Sequence, residues 1–429
     1  MSAITLCDGV VLTRRGLRRV NVVIEGNRIA NIGEGLRVGE RVDCSGLFIL
    51  PGFREQHVHD LPSLLSGKFE AKRFGRVAES LARHGVTSVK LATIAMPTDR
   101  LIKYAETLRQ YLSSGRNCLD GARIEGLHVE GTFIRRECAG AQPREYIVEP
   151  WMPEARNLLD SLIETGVVRL VNIVADFGPD LIKYASSKGL IVGCGHSRAS
   201  AKQLEEAYRS GLKYIVHITN GSMGQSFKPF DGGGTYEGAL ILPLFVEIIL
   251  DGYHVDMRYV SDIIERRIQR GREHEIIAVT DATFAIDEEI PEGEFQAFSV
   301  VGCRSADGKV LFVKRFMDEK GEWKEPPPNT LFGSILTMDK AFENLLNMFT
   351  IDHEGFMIDV KARDFSEALR LSSAITSYNQ ARLEGLTDVG VIERGFLADI
   401  VVLKIDGTPG KYSVKVVKSI VNGVLHEYA

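Results

Sequence analysis

No stretch of the 429-residue chain approaches the uninterrupted apolar length, about 20 residues, that a membrane-spanning helix needs. Residues 1–8 do not join a basic segment to a long apolar one, so no signal peptide is expected. The six cysteines (Cys7, Cys44, Cys118, Cys138, Cys194, Cys303) are scattered and never paired as CxxC. That spacing argues against a disulfide framework or a four-cysteine metal knuckle and predicts buried, reduced thiols in a cytoplasmic protein. An excess of positive charge is missing too: 57 acidic and 52 basic residues, spread along the chain, leave a net charge of -5. Nucleic acid and anionic membranes are therefore not expected partners, since both call for a concentrated basic surface. A small anionic substrate needs only one or two local cations and stays open. There is no internal repeat and no low-complexity tract.

What the chain does contain is two kinds of pattern. The first fifty residues read as short strands and turns, with Asn21-Val22-Val23-Ile24-Glu25 and Arg28-Ile29-Ala30-Asn31-Ile32 flanking a Gly26-Asn27 hairpin signal. The last thirty-five look alike, with strands at 399–403 and 414–421 and a turn at Asn422-Gly423. Strand-rich ends around a different middle predict one small β domain from residues 1–50 and 395–429, beside a main domain over 51–394. In that middle, apolar strand-length runs alternate with amphipathic helical stretches such as 99–113, 152–165 and 201–210, the signature of βα units on a parallel sheet. Candidate strands fall at 47–51, 87–92, 123–129, 169–174, 190–193, 214–216, 251–255 and 275–280. Eight strands fit a closed barrel, although an open doubly wound sheet has the same local signature. Residues 303–330 interrupt the alternation, with a strand at 309–315 and a loop at 325–328.

The reactive side chains fall at particular places on this map. His57 and His59 follow the first run, and their i, i+2 spacing in extended chain points both the same way. Glu130, His196, His217 and Asp281 each stand at the carboxyl end of a later run. In a parallel barrel those ends share the face where active sites form. One histidine at a strand end is ordinarily structural; four imidazoles and two carboxylates placed in register are the N/O donor set that zinc and similar divalent ions take. His84, His128, His274, His353 and His426 lie elsewhere and read as structural or exposed, with His128 close enough to Glu130 on its strand to support it.

These residues resemble the amidohydrolase superfamily and, within it, the N-acetylglucosamine-6-phosphate deacetylases. The resemblance rests on Pro51-Gly52-Phe53 with His57-Val58-His59, Gly126-Leu127-His128-Val129-Glu130-Gly131, Gly195-His196-Ser197, His217-Ile218-Thr219-Asn220-Gly221, Asp251-Gly252-Tyr253-His254, Val279-Thr280-Asp281-Ala282 and Gly333-Ser334. It runs in order through the whole chain. It implies a (β/α)8 TIM barrel (an α/β fold) with a small β-sandwich domain formed from both chain termini. It further implies a cofactor of one or two divalent ions, zinc first, with iron or manganese as alternatives. Glu130, His196 and His217 would hold one ion; His57 and His59, with Glu130 bridging and Asp281 nearby, would hold the second.

The implied reaction removes the acetyl group of N-acetylglucosamine 6-phosphate or a related N-acyl amino sugar, inside a homodimer. An amide is a poor electrophile, so hydrolysis needs an activated water: a divalent ion brings bound water to a pKa of about 7, supplying hydroxide at neutral pH. Asp281 is the expected general base and then acid. Asn220, Gly221 and His254 match family positions that hold the substrate. Three positions depart from the family. The phosphate arginine is missing, leaving Lys228 to supply a point charge; Gln142 replaces a histidine and is expected to contact the substrate; and Asp60 replaces a glycine, as a partner for a ligand histidine or for substrate. The alternatives are an amidohydrolase acting on a cyclic amide or an N-acyl amino acid, or a non-catalytic assembly protein on the same fold. The first often uses a modified barrel lysine where this chain has Ala175-Asp176; the second usually loses the ligands that this chain keeps.

Overall fold

The computed structural model describes residues 3–220, 233–355 and 357–428. Its centre is a sheet of eight parallel strands in sequential order: β1 (Phe53–His59), β2 (Val86–Ala92), β3 (Arg123–Phe133), β4 (Val168–Ile173), β5 (Ile191–Cys194), β6 (Leu212–Ile215), β7 (Phe245–Ile249) and β8 (Ile276–Val279). The sheet rolls up until its edges meet. Just past β8, the Asp281 N–H donates to the His57 carbonyl at 2.8 Å and the His59 N–H to the Ala282 carbonyl at 2.7 Å. The strands are covered on both faces, so β2 and β8 are buried at every residue, as parallel strands under helices must be.

Helices return the chain from each strand to the next, among them Ala71–Arg83, Thr98–Leu112, Glu154–Glu164 and Ala201–Arg209. Helix Ala71–Arg83 buries Phe74, Val77, Ala78 and Leu81, an i, i+3, i+4, i+7 stripe facing the barrel. Helix Ala201–Arg209 starts at a capping box in which the Ser200 hydroxyl accepts from the Gln203 N–H and the Gln203 side chain accepts from the Ser200 N–H. The expected TIM barrel is thus observed.

The expected β-sandwich is present as well. One sheet pairs Ile4–Cys7, Asn21–Glu25, Arg28–Gly33 and Glu40–Asp43; the other joins Val10–Thr13, Gly16–Arg19 and Phe48–Pro51 to the C-terminal strands Ile400–Asp406, Ser413–Val421 and Val424–Glu427. Leu6, Val22 and Ile24 of the first and Ile49, Val402 and Ile420 of the second share one buried cluster. Among the described residues no helix is long and apolar enough to cross a membrane.

Two expected barrel strands are displaced. The run at 47–51 belongs to the sandwich, where Val401 pairs with Leu50; the chain crosses into the barrel at Gly52, where a Cβ would lie 2.2 Å from Thr87. The true β1, Phe-Arg-Glu-Gln-His-Val-His, carries too many polar groups to read as a core strand because it supplies side chains to both ends of the barrel. The strand expected at 251–255 is a turn, in which Asp251 Oδ1 accepts from the Tyr253 and His254 N–H groups at 2.9 Å each. The strand itself is β7, six residues earlier. The interruption after β8 is a four-stranded antiparallel sheet spanning Glu294–Ala297, Val300–Arg304, Leu311–Met317 and Trp323–Lys324.

Candidate metal centre

Three of the expected site residues follow the carboxyl ends of β5, β6 and β8 by two positions: His196, His217 and Asp281. All three adopt left-handed backbone, with φ of 54°, 29° and 47°. Such conformations cost non-glycine residues on the order of 1–3 kcal/mol each and persist where the surroundings hold them. Here they turn three side chains over the mouth of the barrel. His57 and His59 close β1 from the same face. The sequence pattern ends the third strand before Glu130, but β3 continues through Phe133, so Glu130 rises from inside the strand.

The imidazoles are aimed. His196 Nδ1 lies 2.7 Å from the Cys138 carbonyl, His217 Nδ1 3.1 Å from the Asn220 carbonyl, and His57 Nδ1 3.2 Å from Glu247 Oε2. Each ring thereby turns Nε2 inward. His196 Nε2 and His217 Nε2 stand 2.9 and 3.1 Å from one atom, Glu130 Oε1, and His57 Nε2 stands 3.9 Å from it. Asp281 Oδ1 lies 3.2 Å from His59 Nε2 and 3.5 Å from His57 Nε2. Ligands about 2.1 Å from a tetrahedral ion sit about 3.4 Å apart. Two trios, His57-Glu130-His217 and His57-His59-Asp281, bring their donor atoms within 4.8 Å of one another, as a divalent cation needs, and His196 joins the first through its contact with Glu130. Among the described residues the fully buried His57 Nε2 has no hydrogen-bond partner, and a bound ion would satisfy it. A third grouping, His57, His128 and Glu247, does not qualify as ligands. Both His128 nitrogens are engaged, by the Gln56 carbonyl at 3.0 Å and the Tyr214 hydroxyl at 2.9 Å.

Electrostatics agree with the geometry. Burial alone would depress the His57 pKa, yet Asp281, Glu247 and Glu130 together lift it to about 10. Burial likewise opposes ionisation of Asp281, but the charges of His57 and His59 hold its carboxyl far below the usual range. Burial pushes the Glu55 carboxyl up to about 7, although it accepts from the His57 N–H at 2.8 Å and the Thr280 N–H at 3.0 Å. Buried carboxylates that draw protons onto neighbouring imidazoles make a site that seeks positive charge.

A cavity of about 300 Å³ opens over these groups, lined by His59, Glu130, His196, His217, Asp281 and, farther out, Gln142, Asn220 and His254. A larger one, about 750 Å³, lies between the helices Thr235–Ile241 and Met257–Gln269 and contains none of the expected ligands. Chemistry belongs to the smaller cavity, where the donor atoms converge. His254 is oriented by Asp251, whose Oδ2 lies 2.7 Å from its Nδ1. Gln142 is fixed differently from the expectation of a substrate contact: its amide donates to Glu130 Oε2 and accepts from the Ala95 N–H at 2.9 Å. A Cβ on Gly131 would lie 2.2 Å from the Gln142 oxygen, so that clamp needs glycine next to the ligand. Asp60 faces neither substrate nor ligand ring; it is buried against Arg73, which also binds Glu289 at 2.6 Å. Gly221 and Lys228 lie outside the described residues.

Sequence reasoning misses Glu247 and Glu55. Glu247 is hidden when the seventh strand is placed too late, but one acid inside the apolar run Phe245-Val246-Glu247-Ile248-Ile249 is the signal that marks it.

The sequence and the fold of this chain have parallels among known proteins. Over nearly its whole length the chain is similar to N-acetylglucosamine-6-phosphate deacetylases. It is 26% identical over 396 residues to the one from Lysinibacillus sphaericus, covering 90% of this chain and 89% of the relative. It is 24% identical over 423 residues to that of Haemophilus influenzae, covering 95% and 94%. In structure it matches the N-acetylglucosamine-6-phosphate deacetylase of Pasteurella multocida with a TM-score of 0.78 at 20% identity, over 99% of this chain and all of that one. A point mutant of the Mycobacterium smegmatis deacetylase, solved in complex with N-acetyl-D-glucosamine-6-phosphate, matches at 0.76 and 21%, over 99% of this chain. Xaa-Pro dipeptidase folds are more distant, one at a TM-score of 0.56. No family model matches the chain.

Proposed function

We propose that the chain hydrolyses the N-acetyl group of N-acetylglucosamine 6-phosphate or a closely related N-acyl amino sugar. The observation that carries this is the convergence of His57, His196 and His217 on one Glu130 oxygen, with Asp281 beside them at the mouth of a barrel shared with the deacetylases. A divalent ion held by Glu130, His196 and His217, and a second by His57, His59 and Asp281, would lower the pKa of water to about 7 and polarise the acyl carbonyl. Asp281 is ionised at neutral pH, so it is ready to take a proton from the attacking water. It then returns that proton to the amine nitrogen as the C–N bond breaks. His254, oriented by Asp251, and Asn220 face the same cavity and hold the sugar. Gly221 and Lys228 complete this reading as phosphate donors, and a homodimer is its assembly. The more distant dipeptidase folds give no reason to prefer an N-acyl amino acid. The β4 strand is followed by Asp176, paired with Arg135 at 3.2 Å, where a bridging lysine would stand.

The test is amine release from N-acetylglucosamine 6-phosphate and from its unphosphorylated counterpart, after reconstitution with zinc, iron or manganese. Chelator-sensitive turnover of the phosphorylated sugar alone supports the reading. Stoichiometric metal with turnover of neither sugar sinks it.

A further inference from the structure

The cavity over the metal centre has two unlike arcs. Asn220 follows β6, and Tyr253 and His254 follow β7; these bring polar groups, and among the described residues the buried Asn220 Nδ2 has no hydrogen-bond partner. Leu61 follows β1, Ile94 follows β2, and Ala297, Leu331 and Phe332 come from the sheet inserted after β8 and its return. Because β8, β1 and β2 are neighbours in the ring, these five side chains form one continuous apolar arc. Leu61 and Thr283 each stand two residues beyond a site residue, His59 and Asp281, and the Leu61 N–H donates to the Thr283 carbonyl at 3.2 Å. The arc therefore begins at the reacting centre.

Hydroxyls within the arc are spent on the protein itself. Thr283 donates to the Phe332 carbonyl at 2.6 Å and Thr330 to the Pro327 carbonyl at 2.7 Å. Gln142, at the edge, has both ends of its amide engaged. Asn329, exposed at the rim, also lines the cavity, but a sugar hydroxyl or phosphate set against the five apolar side chains would lose its water and gain no hydrogen bond, which is costly. An alkyl chain would lose nothing. The methyl of an acetyl group needs only a contact or two, whereas this arc draws side chains from two strand ends and the inserted sheet with its return.

We propose that the apolar arc is an acyl-chain subsite admitting N-acyl groups of three or four carbons as well as acetyl. The inference rests on the amino-sugar deacylase reading and adds its acyl specificity. The reaction is unchanged: water oxygen joins the acyl carbon, the C–N bond breaks, and the amine leaves with the proton. A longer product carboxylate is released.

Metal-reconstituted full-length protein should be assayed on N-acetyl, N-propionyl and N-butyryl glucosamine 6-phosphate. One methylene in an apolar pocket is worth about tenfold or more in discrimination. The expected kcat/KM for the butyryl substrate equals or exceeds that for acetyl. Ala297→Leu, which fills the arc, should lower the butyryl-to-acetyl ratio about tenfold, mostly through KM, while acetyl turnover stays within about threefold. Ile94→Phe is the second variant with the same expected ratio. A butyryl kcat/KM more than tenfold below acetyl overturns the subsite and leaves the deacetylase reading standing. Absence of turnover on every one of the three overturns both.

Discussion

Toward the amino ends of the strands, buried Arg54 and Lys90 and half-buried Arg123 pack against Glu125, Glu384 and Asp399. At the carboxyl ends, buried Glu130 and Glu247 and half-buried Asp281 face imidazoles, with Glu55 buried beneath the His57 and Thr280 N–H groups. In the first cluster every cation has a carboxylate partner, although Arg54 Nε and Nη1 have no hydrogen-bond partner among the described residues. Arg54 reaches Glu125 and Glu384 at 2.8 Å each, Lys90 reaches the same two at 2.7 and 2.8 Å, and Arg123 reaches Asp399 at 2.7 Å. Its guanidinium charges are permanent, because arginine does not titrate in the accessible range. The second cluster has no lysine or arginine among its described lining groups and depends on charge that comes and goes, as protons on histidine or as a cation from solution. One cluster ties β1, β2 and β3 to the helical and sandwich ends of the chain; the other leaves ligand atoms free to take part in chemistry.

The strongest way to break this comparison is at Asp281. Asp281→Asn keeps the shape but cannot accept the proton, so kcat should fall about 10²–10⁴-fold while the protein stays folded. Steady-state kinetics on metal-loaded protein decide it, and chelation of the parent protein should abolish the same activity. A variant that turns over at the parental rate removes Asp281 from its role.

The opposite end should respond in the opposite way. Glu125→Ala leaves Arg54, Lys90 and Arg123 short of one partner each in a buried place, which costs about 3–5 kcal/mol. Urea unfolding should show that loss, while activity per folded molecule stays within about twofold. A large fall in kcat without loss of stability would mean the two ends are coupled and the contrast is wrong.

How far each end can be read in the sequence follows from the same difference. His196, His217 and Asp281 are legible because each is a lone polar residue closing an apolar run, and the order of such residues along the chain carries the barrel's symmetry. Arg54, Lys90 and Glu125 sit inside strands, and their partners Glu384 and Asp399 are hundreds of residues away. Nothing local marks such a network, since a charged residue in a strand ordinarily faces solvent. Glu55 and Gln56 disguise β1 for that reason, and the more apolar neighbour at 48–51 takes its place. The inserted sheet is half legible: its strand Leu311–Met317 shows a β pattern, but its partners are short and pair through turns. Gln142 is legible as a departure, not as a clamp, because its contact with Glu130 depends on how the loop after β3 folds back.

That clamp offers a finer test at the metal end. Gln142→Ala strands the Ala95 N–H and frees Glu130 Oε2, at a cost of about 1–3 kcal/mol in stability. Groups that orient metal ligands typically govern roughly 10- to 100-fold in affinity or activity. Competitive metal titration against a chromogenic chelator should show weaker binding of that order, whereas Glu125→Ala should bind metal as the parent does. Unchanged affinity in Gln142→Ala would reduce the residue to packing.

The smallest expected effect calibrates both ends with a cluster that belongs to neither. His84 lies on the barrel flank with its Nε2 2.7 Å from Asp287 and its Nδ1 3.1 Å from Asp339. Burial works against the charged ring, but the two carboxylates lift its pKa to about 10. A histidine whose pKa is higher folded than unfolded stabilises fully below its unfolded pKa of about 6.5 and loses that contribution as pH rises toward 10. Asp287 is partly exposed, so solvent screening cuts the contribution below what a shift of that size would give in a dry site. His84→Gln preserves hydrogen bonding and removes the charge. The stability difference between parent and variant, measured by urea unfolding, should be largest near pH 6 and vanish by about pH 10. If the difference is flat across that range, folding does not raise the His84 pKa. Paired carboxylates alone would then not suffice to hold a proton on a buried imidazole here, and the same inference for His57 at the metal end would weaken with it.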